Sequence, residues 1–300
     1  MDRRRRELLG AVAGLAVTRV AWAGERMRTR AIPSSGEALP VIGLGTWQTF
    51  DVGGGAAARA PLRKVLKAFF DGGGRVVDSS PMYGSSESVV GELCTDLGIC
   101  EPLFLATKVW TRGREQGIRE MQRSIERMRA GRMDLMQVHN LLDVEAHTKT
   151  LLEWKAAKRV RYIGVTHYAS SGHAAMERAL QAKQYDFVQI NYSLDEPEAE
   201  RRLLPLAREL GVAVLVNRPF ASGGMFRRVR GKPLPPWAAE LGIQSWAQYF
   251  LKWIVAHPAI SCVIPATANP EHVRDNLGAG LGALPDEAQR AHMAQAYDAI

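Results

Sequence analysis

Short apolar runs alternate with amphipathic stretches along almost the whole chain, and this rhythm restricts the available folds more than any other feature. The runs are 41–44, 75–77, 103–106, 134–138, 162–165, 187–190, 212–216 and 262–264. Most begin about 25 to 35 residues apart, the length of one βα unit. Between them, Leu62, Val65, Leu66 and Phe69 fall on one helical face, as do Leu203, Leu206, Ala207 and Leu210. That spacing belongs to helices packed against a sheet. A turn cluster, Pro33-Ser34-Ser35-Gly36, separates 27–32 from 38–42 and predicts a β-hairpin ahead of the first unit. Eight βα units predict a closed (β/α)₈ TIM barrel with an N-terminal β-hairpin rather than an open doubly wound sheet. The open sheet should also carry G-x-G-x-x-G after its first strand, and Gly43-Leu44-Gly45-Thr46-Trp47 supplies only the first half. The triplets Gly53–Gly55 and Gly72–Gly74 read as turns at helix edges, and no Pro/Gly/Ser-rich linker divides 24–300, which is read as one barrel domain.

Charge narrows the partners. The chain has 39 Lys and Arg against 31 Asp and Glu, a net of +8, but residues 1–23 hold five arginines and two acids and so contribute +3 of it. The remaining excess is scattered, with no basic and aromatic track for nucleic acid. It suits an anionic ligand or simple solubility. No apolar run reaches the roughly 18 residues of a stable membrane span. Cys94, Cys100 and Cys262 form no metal-ligand pattern. Pairing of Cys94 with Cys100 and burial of both as free thiols stay open.

Residues 1–23 read as an address. Four arginines from Arg3 to Arg6 precede a modest apolar stretch, 8–17, and Ala21-Trp22-Ala23 fits the small-residue cleavage rule, so that Gly24 opens the mature protein. Arg5-Arg6-Glu7-Leu8-Leu9 resembles a twin-arginine export signal, which implies a periplasmic or exported protein; a basic N-terminus on a cytoplasmic one is the alternative.

In a (β/α)₈ barrel, chemistry collects where strands end and βα loops begin. Those positions carry Asp78, Lys108, His139, Thr166, His167, Gln189, Asn217 and Arg218, with Tyr83 five residues beyond Asp78. Singly, each has a structural explanation. Together, a carboxylate, an ammonium, a phenol and an imidazole on one rim can move a proton to or from a carbonyl oxygen. A phenol of pKa about 10 donates poorly unless its anion is stabilised, and a nearby ammonium does that.

Six segments in order carry a resemblance to the aldo-keto reductase superfamily: VIGLGTW at 41–47, VDSSPMYGSSE at 77–87, ATKVW at 106–110, DLMQVH at 134–139, IGVTHY at 163–168 and IPATANPEHVRDN at 264–276. The resemblance runs from about Met27 to Leu284. It implies an NAD(P)H-dependent reductase of aldehydes or ketones whose catalytic tetrad is Asp78, Tyr83, Lys108 and His139, with Tyr83 as proton donor. It implies a cofactor site that begins at Gly45, Thr46, Trp47 and Asp78. Thr166, His167 and Gln189 would hold the nicotinamide carboxamide, with His167 where the family usually has Asn. Asn217 stands where an aromatic usually stacks, followed by Arg218, Pro219 and Phe220, of which Arg218 and Phe220 are candidates to compensate. Ser222 lies in the loop expected over the pyrophosphate. Pro265, Ala266, Thr267 and His272 occupy the 2′-phosphate region, where Ala266 and His272 replace the usual Lys and Arg, while Asp275 and Asn276 match the pair that reads the adenine. NADPH is the expected cofactor and NADH the alternative. Trp47 and Trp110 match walls of the substrate pocket, which short loops leave open.

Two rival readings remain. A metal-dependent hydrolase could use Asp78, His139 and His167, but Gly45-Thr46-Trp47 offers no His-x-His pair, and Tyr83 and Lys108 go unexplained, so no metal is expected. A nicotinamide-binding sensor or partner subunit would keep the fold and lose turnover. The oligomeric state and the particular carbonyl are not written in the sequence.

Overall fold

The computed structural model describes residues 26–300. The predicted export signal at 1–23 lies outside the described residues.

A two-stranded antiparallel hairpin, β1 (Thr29–Ala31) and β2 (Ala38–Pro40), comes first. Eight parallel strands follow in sequence order: β3 (Leu44–Gly45), β4 (Val76–Asp78), β5 (Phe104–Val109), β6 (Met133–His139), β7 (Val160–His167), β8 (Phe187–Asn191), β9 (Ala213–Asn217) and β10 (Ile260–Val263). Parallel bridges between Ile42 and Val263 and between Gly45 and Ala266 bring the last strand against the first and close the barrel. The closure is tight. A Cβ on Gly45 would lie 2.8 Å from the Ile264 carbonyl oxygen, and one on Gly43 2.9 Å from an Ile264 methyl. Glycine is required at both because the first strand touches the last through bare backbone.

Helices α1 (Ala56–Asp71), α2 (Ser86–Leu97), α3 (Arg114–Arg127), α4 (Val144–Ala156), α5 (His173–Gln181) and α6 (Leu203–Glu209) cover the outside. Two more, α7 (Gly224–Arg228) and α8 (Trp246–Ala256), precede β10, and α9 (Pro270–Gly278) and α10 (Glu287–Asp298) follow it. Leu62, Val65, Leu66 and Phe69 of α1 are all buried. On α6 the buried set is Leu203, Leu204 and Ala207, so Leu206 and Leu210 pack only at its margin. The glycine triplets flank α1 as turns: Gly55 precedes it, and Gly72 to Gly74 end it with backbone bonds to residues 68–70.

The pleat sends alternate residues inward. Val76, Phe104, Ala106, Leu135, Tyr162, Phe187, Ala213, Leu215, Cys262 and Ile264 form one apolar cluster inside the barrel. Ile32 and Leu39 of the hairpin join it, which makes the hairpin the plug of the strands' N-terminal end. Continuing the same alternation toward the C-terminal ends turns Asp78, Lys108, Gln137, His139, Thr166, Gln189 and Asn217 into the same interior.

Cys94 near the end of α2 and Cys100 in the turn before β5 are joined as a disulfide. Cys262 is a buried thiol in the barrel interior. Among the described residues no helix is long and apolar enough to cross a membrane, and no group of three His, Cys, Asp or Glu could hold a metal ion.

Candidate active site

Lys108 is wholly buried, and its ammonium donates to Asp78 Oδ2 at 2.6 Å and to the Ser79 carbonyl at 2.6 Å. Burial alone would depress its pKa. Asp78, Tyr83 and Glu87 together outweigh that and hold the ammonium above its ordinary value. Asp78 Oδ1 accepts from Gln189 Nε2 at 2.8 Å and from Gln137 Nε2 at 3.2 Å. A carboxylate can only accept, so these bonds also settle which way both amides face. Gln189 Oε1 is thereby turned to Thr166 Oγ1, which donates to it at 3.2 Å, and to Asn217 Nδ2, which donates at 3.3 Å.

Tyr83 rides on the turn after β4, held by its backbone N–H to the Ser80 carbonyl at 3.0 Å. Lys108 Nζ lies 5.1 Å from the centre of its ring. The sequence predicts that the ammonium lowers the phenol's pKa. The net shift is upward: burial raises it, Lys108 pulls it back only in part, and Asp78 adds to the rise.

His139 ends β6. Its ring meets the Tyr83 ring edge-on at 6.0 Å and the Trp110 ring at 6.3 Å, and Nδ1 lies 3.1 Å from Ser80 Oγ. Burial, with repulsion from Lys108 and His167, drops its pKa to about 2. The imidazole is therefore neutral at working pH, and it can donate one hydrogen bond but has no extra proton to give.

Thus Asp78, Tyr83, Lys108 and His139 converge, with Thr166, Gln189 and Asn217 beside them. Trp47 and Trp110 stand at the rim, 45% and 41% exposed. Four residues that strand-end reading missed belong to the same cluster. Gln137 lies two residues before His139 and faces inward by the same pleat. Ser79 supplies a carbonyl to Lys108 and Ser80 a hydroxyl to His139. Glu87 is buried behind Lys108, accepting from Thr107 Oγ1 at 2.6 Å, with Arg127 3.4 Å away. The period-two pattern could have found Gln137. Nothing local marked Ser80.

The rest of the rim departs from expectation at several residues. His167 bonds Ala169 and stacks on Tyr168 at 5.5 Å. Arg218 is tied to Glu196 at 3.2 Å and to the Tyr168 carbonyl at 3.1 Å. Phe220 packs against Phe226 at 4.8 Å and Phe250 at 6.4 Å. Arg218 is thus paired with a carboxylate, and Phe220 packs among core aromatics. Pro219 lies between them. Arg218, Ala221, Ser222 and Gly223 all take left-handed backbone, the kind of strained turn that clusters at ligand-binding loops. In the region after β10, Ala266 pairs with Gly45 next to Pro265, and Thr267 Oγ1 sits 3.4 Å from His272 Nδ1. Both Asp275 oxygens are occupied, by Ser245 Oγ at 2.7 Å and Gln248 Nε2 at 2.8 Å. Asp275 therefore anchors the start of α8. Asn276 beside it is buried. Thr46 Oγ1 donates to the Asp78 carbonyl at 3.0 Å, which ties the end of the first strand to the second.

The sequence model of the Aldo/keto reductase family matches residues 41–294. The aldo-keto reductase YhdN of Bacillus subtilis (strain 168) is 27% identical over 212 residues, a match covering 66% of this chain and 63% of that protein. The chain thus spans less than two thirds of YhdN's length. The methylglyoxal reductase DkgB of Salmonella typhimurium is 24% identical over 248 residues, covering 80% and 86%. A crystal structure of an aldo/keto reductase from Klebsiella pneumoniae, in complex with NADP and acetate, superposes with a TM-score of 0.75. It shares 26% identity and covers 90% of this chain and 95% of that one.

Proposed function

The chain belongs to the Aldo/keto reductase family, and on that premise we propose that it reduces an aldehyde or ketone to an alcohol with NADPH, Tyr83 giving the proton. The observation that carries this reading is the buried Asp78–Lys108 pair set against the Tyr83 phenol, with a neutral His139 beside it.

A polar atom at the rim fits a nicotinamide carboxamide. Asn217 Oδ1 is buried without a hydrogen-bond partner, while Asn217 Nδ2 bonds Gln189 Oε1 beside Thr166. An amide brings both a donor and an acceptor to such a set. Thr166, Gln189 and Asn217 would hold it, and Ser222 in its left-handed turn would lie over the pyrophosphate. When bound, the reduced nicotinamide supplies the hydride.

The chain's own groups do the rest. As charge builds on the carbonyl oxygen, the Tyr83 O–H bond breaks and its proton moves to that oxygen. The phenolate left behind is stabilised by the Lys108 ammonium, which Asp78 keeps charged and in place. His139 donates a hydrogen bond to the same oxygen and orients it. It is not the acid, because a group with a pKa of about 2 carries no spare proton near neutrality. Acid–base help of this kind is worth about 10²–10⁴-fold. Trp47 and Trp110 form open apolar walls for the substrate.

NADPH stands ahead of NADH because the Klebsiella pneumoniae relative was solved with NADP. Ala266 and His272 leave no fixed cation at the expected phosphate position, so the margin between the two nucleotides should be narrow. Export through the twin-arginine-type signal is supported by the Cys94–Cys100 disulfide, since such bonds persist in oxidising compartments. The small-molecule carbonyl is the only partner proposed.

The test is nucleotide oxidation by protein beginning at Gly24, with NADPH and NADH offered separately to a panel of aldehydes, ketones and quinones. Turnover that collapses in Tyr83→Phe while nucleotide binding survives supports the reading. Binding without turnover in the unaltered protein favours a sensor. Recovery of the chain from the periplasm with Gly24 at its N-terminus tests the export.

A further inference from the structure

A neutral imidazole carries one N–H, on either Nδ1 or Nε2, and its partners decide which. His139 is buried in the barrel mouth, and its Nδ1 lies 3.1 Å from the hydroxyl of Ser80, itself wholly buried. The Ser80 oxygen accepts from the Met82 backbone N–H at 3.4 Å. Among the described residues its proton meets no acceptor other than His139. The carbonyls of Asp78, Ser79 and Ser80 accept from Thr46 Oγ1, Lys108 and the Tyr83 N–H, and none of them bonds the Ser80 hydroxyl. If Nδ1 carried the hydrogen, the hydroxyl oxygen could accept it beside the Met82 N–H, but the hydroxyl proton would go unpaired in a buried site. With Nε2–H, the hydroxyl proton is paired with Nδ1, and the Nε2–H, which is not among the buried atoms lacking a partner, faces the open mouth of the site. The penalty for an unpaired buried donor favours the second arrangement by roughly ten- to a hundredfold. Pro81 disfavours helical backbone at Ser80, which limits how the turn presents its hydroxyl.

We propose that Ser80 is a positioning residue that locks His139 in its Nε2–H tautomer and so presents a ready donor to the substrate oxygen. Nε2 makes no hydrogen bond to the protein among the described residues, whereas Tyr83 and Trp110 flank the ring. The same hydroxyl joins the turn that carries Tyr83 to the strand that carries His139, so one bond registers both groups on one oxygen. The catalytic consequence rests on the reading of the site above; the tautomer does not.

Long-range proton–nitrogen correlation spectra of the full protein test this, with His139 assigned by comparison with His139→Gln. The wild type should show the Nε2–H pattern. Ser80→Ala should move it toward Nδ1–H or a mixture, with kcat lower by roughly ten- to a hundredfold and nucleotide affinity retained. Ser80→Thr, which keeps the hydroxyl, should restore both the pattern and most of kcat. A wild-type Nδ1–H pattern overturns the proposal by itself, whether or not a variant folds. So does an Nε2–H pattern that persists in Ser80→Ala. Tyr83→Phe should leave the tautomer untouched, so turnover independent of Tyr83 would remove the reductase reading while leaving the Ser80 assignment standing.

Discussion

The lower and upper halves of the barrel interior share the same strands and the same pleat, yet they hold opposite kinds of side chain. Below, Phe104, Tyr162, Phe187, Leu215 and Cys262 close on one another, and Ile32 and Leu39 of the hairpin seal the end. Above, two to four residues further along those strands, a buried ion pair is wrapped in amides and hydroxyls. The lower half releases free energy by leaving water. The upper half spends some of it, because a buried charge is tolerated only when its partners are complete. Stability is thus gathered in one half and chemistry in the other.

The division can be broken at either end. Tyr83→Phe should give the largest effect, a fall in kcat of about 10²–10⁴-fold with little change in urea midpoint, since it removes a proton and not packing. A large loss of stability there would dissolve the division. Lys108→Met should cut both ways, abolishing most turnover and costing about 3–5 kcal/mol by leaving Asp78 buried and unpaired. Phe187→Ala in the lower half should cost about 3–5 kcal/mol in denaturant unfolding while the folded fraction keeps its kcat. Replacing Cys94 and Cys100 together by serine should cost about 2 kcal/mol, the entropy of a short closed loop, with kcat unchanged.

The smallest effects near neutrality come from two histidines, one on each side of the division. His139 is held to about 2 and His257, beneath the barrel, to about 4, burial being the main cause for each. Both lie below the unfolded value of about 6.5. The unfolded chain therefore binds more protons in acid: their stability contribution is complete above about pH 6.5 and is lost as pH falls toward 4, further still for His139. Unfolding free energies between pH 7 and pH 4 should decline, and His257→Gln should flatten that decline. Turnover in the reducing direction should show no histidine limb from pH 5 to 8. With the Tyr83 phenol raised above its usual 10, it should weaken only in strong alkali.

The pattern of apolar runs alone determined the barrel, because a strand must show alternation and a helix its own period to bury one face. The same pattern placed Asp78, Lys108 and His139 at strand ends, and the structure brings them together. Strand limits were read short: β5 runs on to Val109 and β7 to His167, since polar residues at the barrel mouth interrupt the apolar signal without interrupting the hydrogen-bonded ladder. What the sequence could not carry was which polar groups consume one another. Only the folded chain sets Glu196 against Arg218, Ser245 and Gln248 against Asp275, and Cys94 against Cys100. Only there does burial outweigh Lys108 in setting the Tyr83 phenol, or the Ser80 hydroxyl meet His139 across 59 residues of chain. Periodicity is a local property and survives in one dimension. Desolvation and hydrogen-bond partnership depend on distances through space, and those come into being only when the barrel closes.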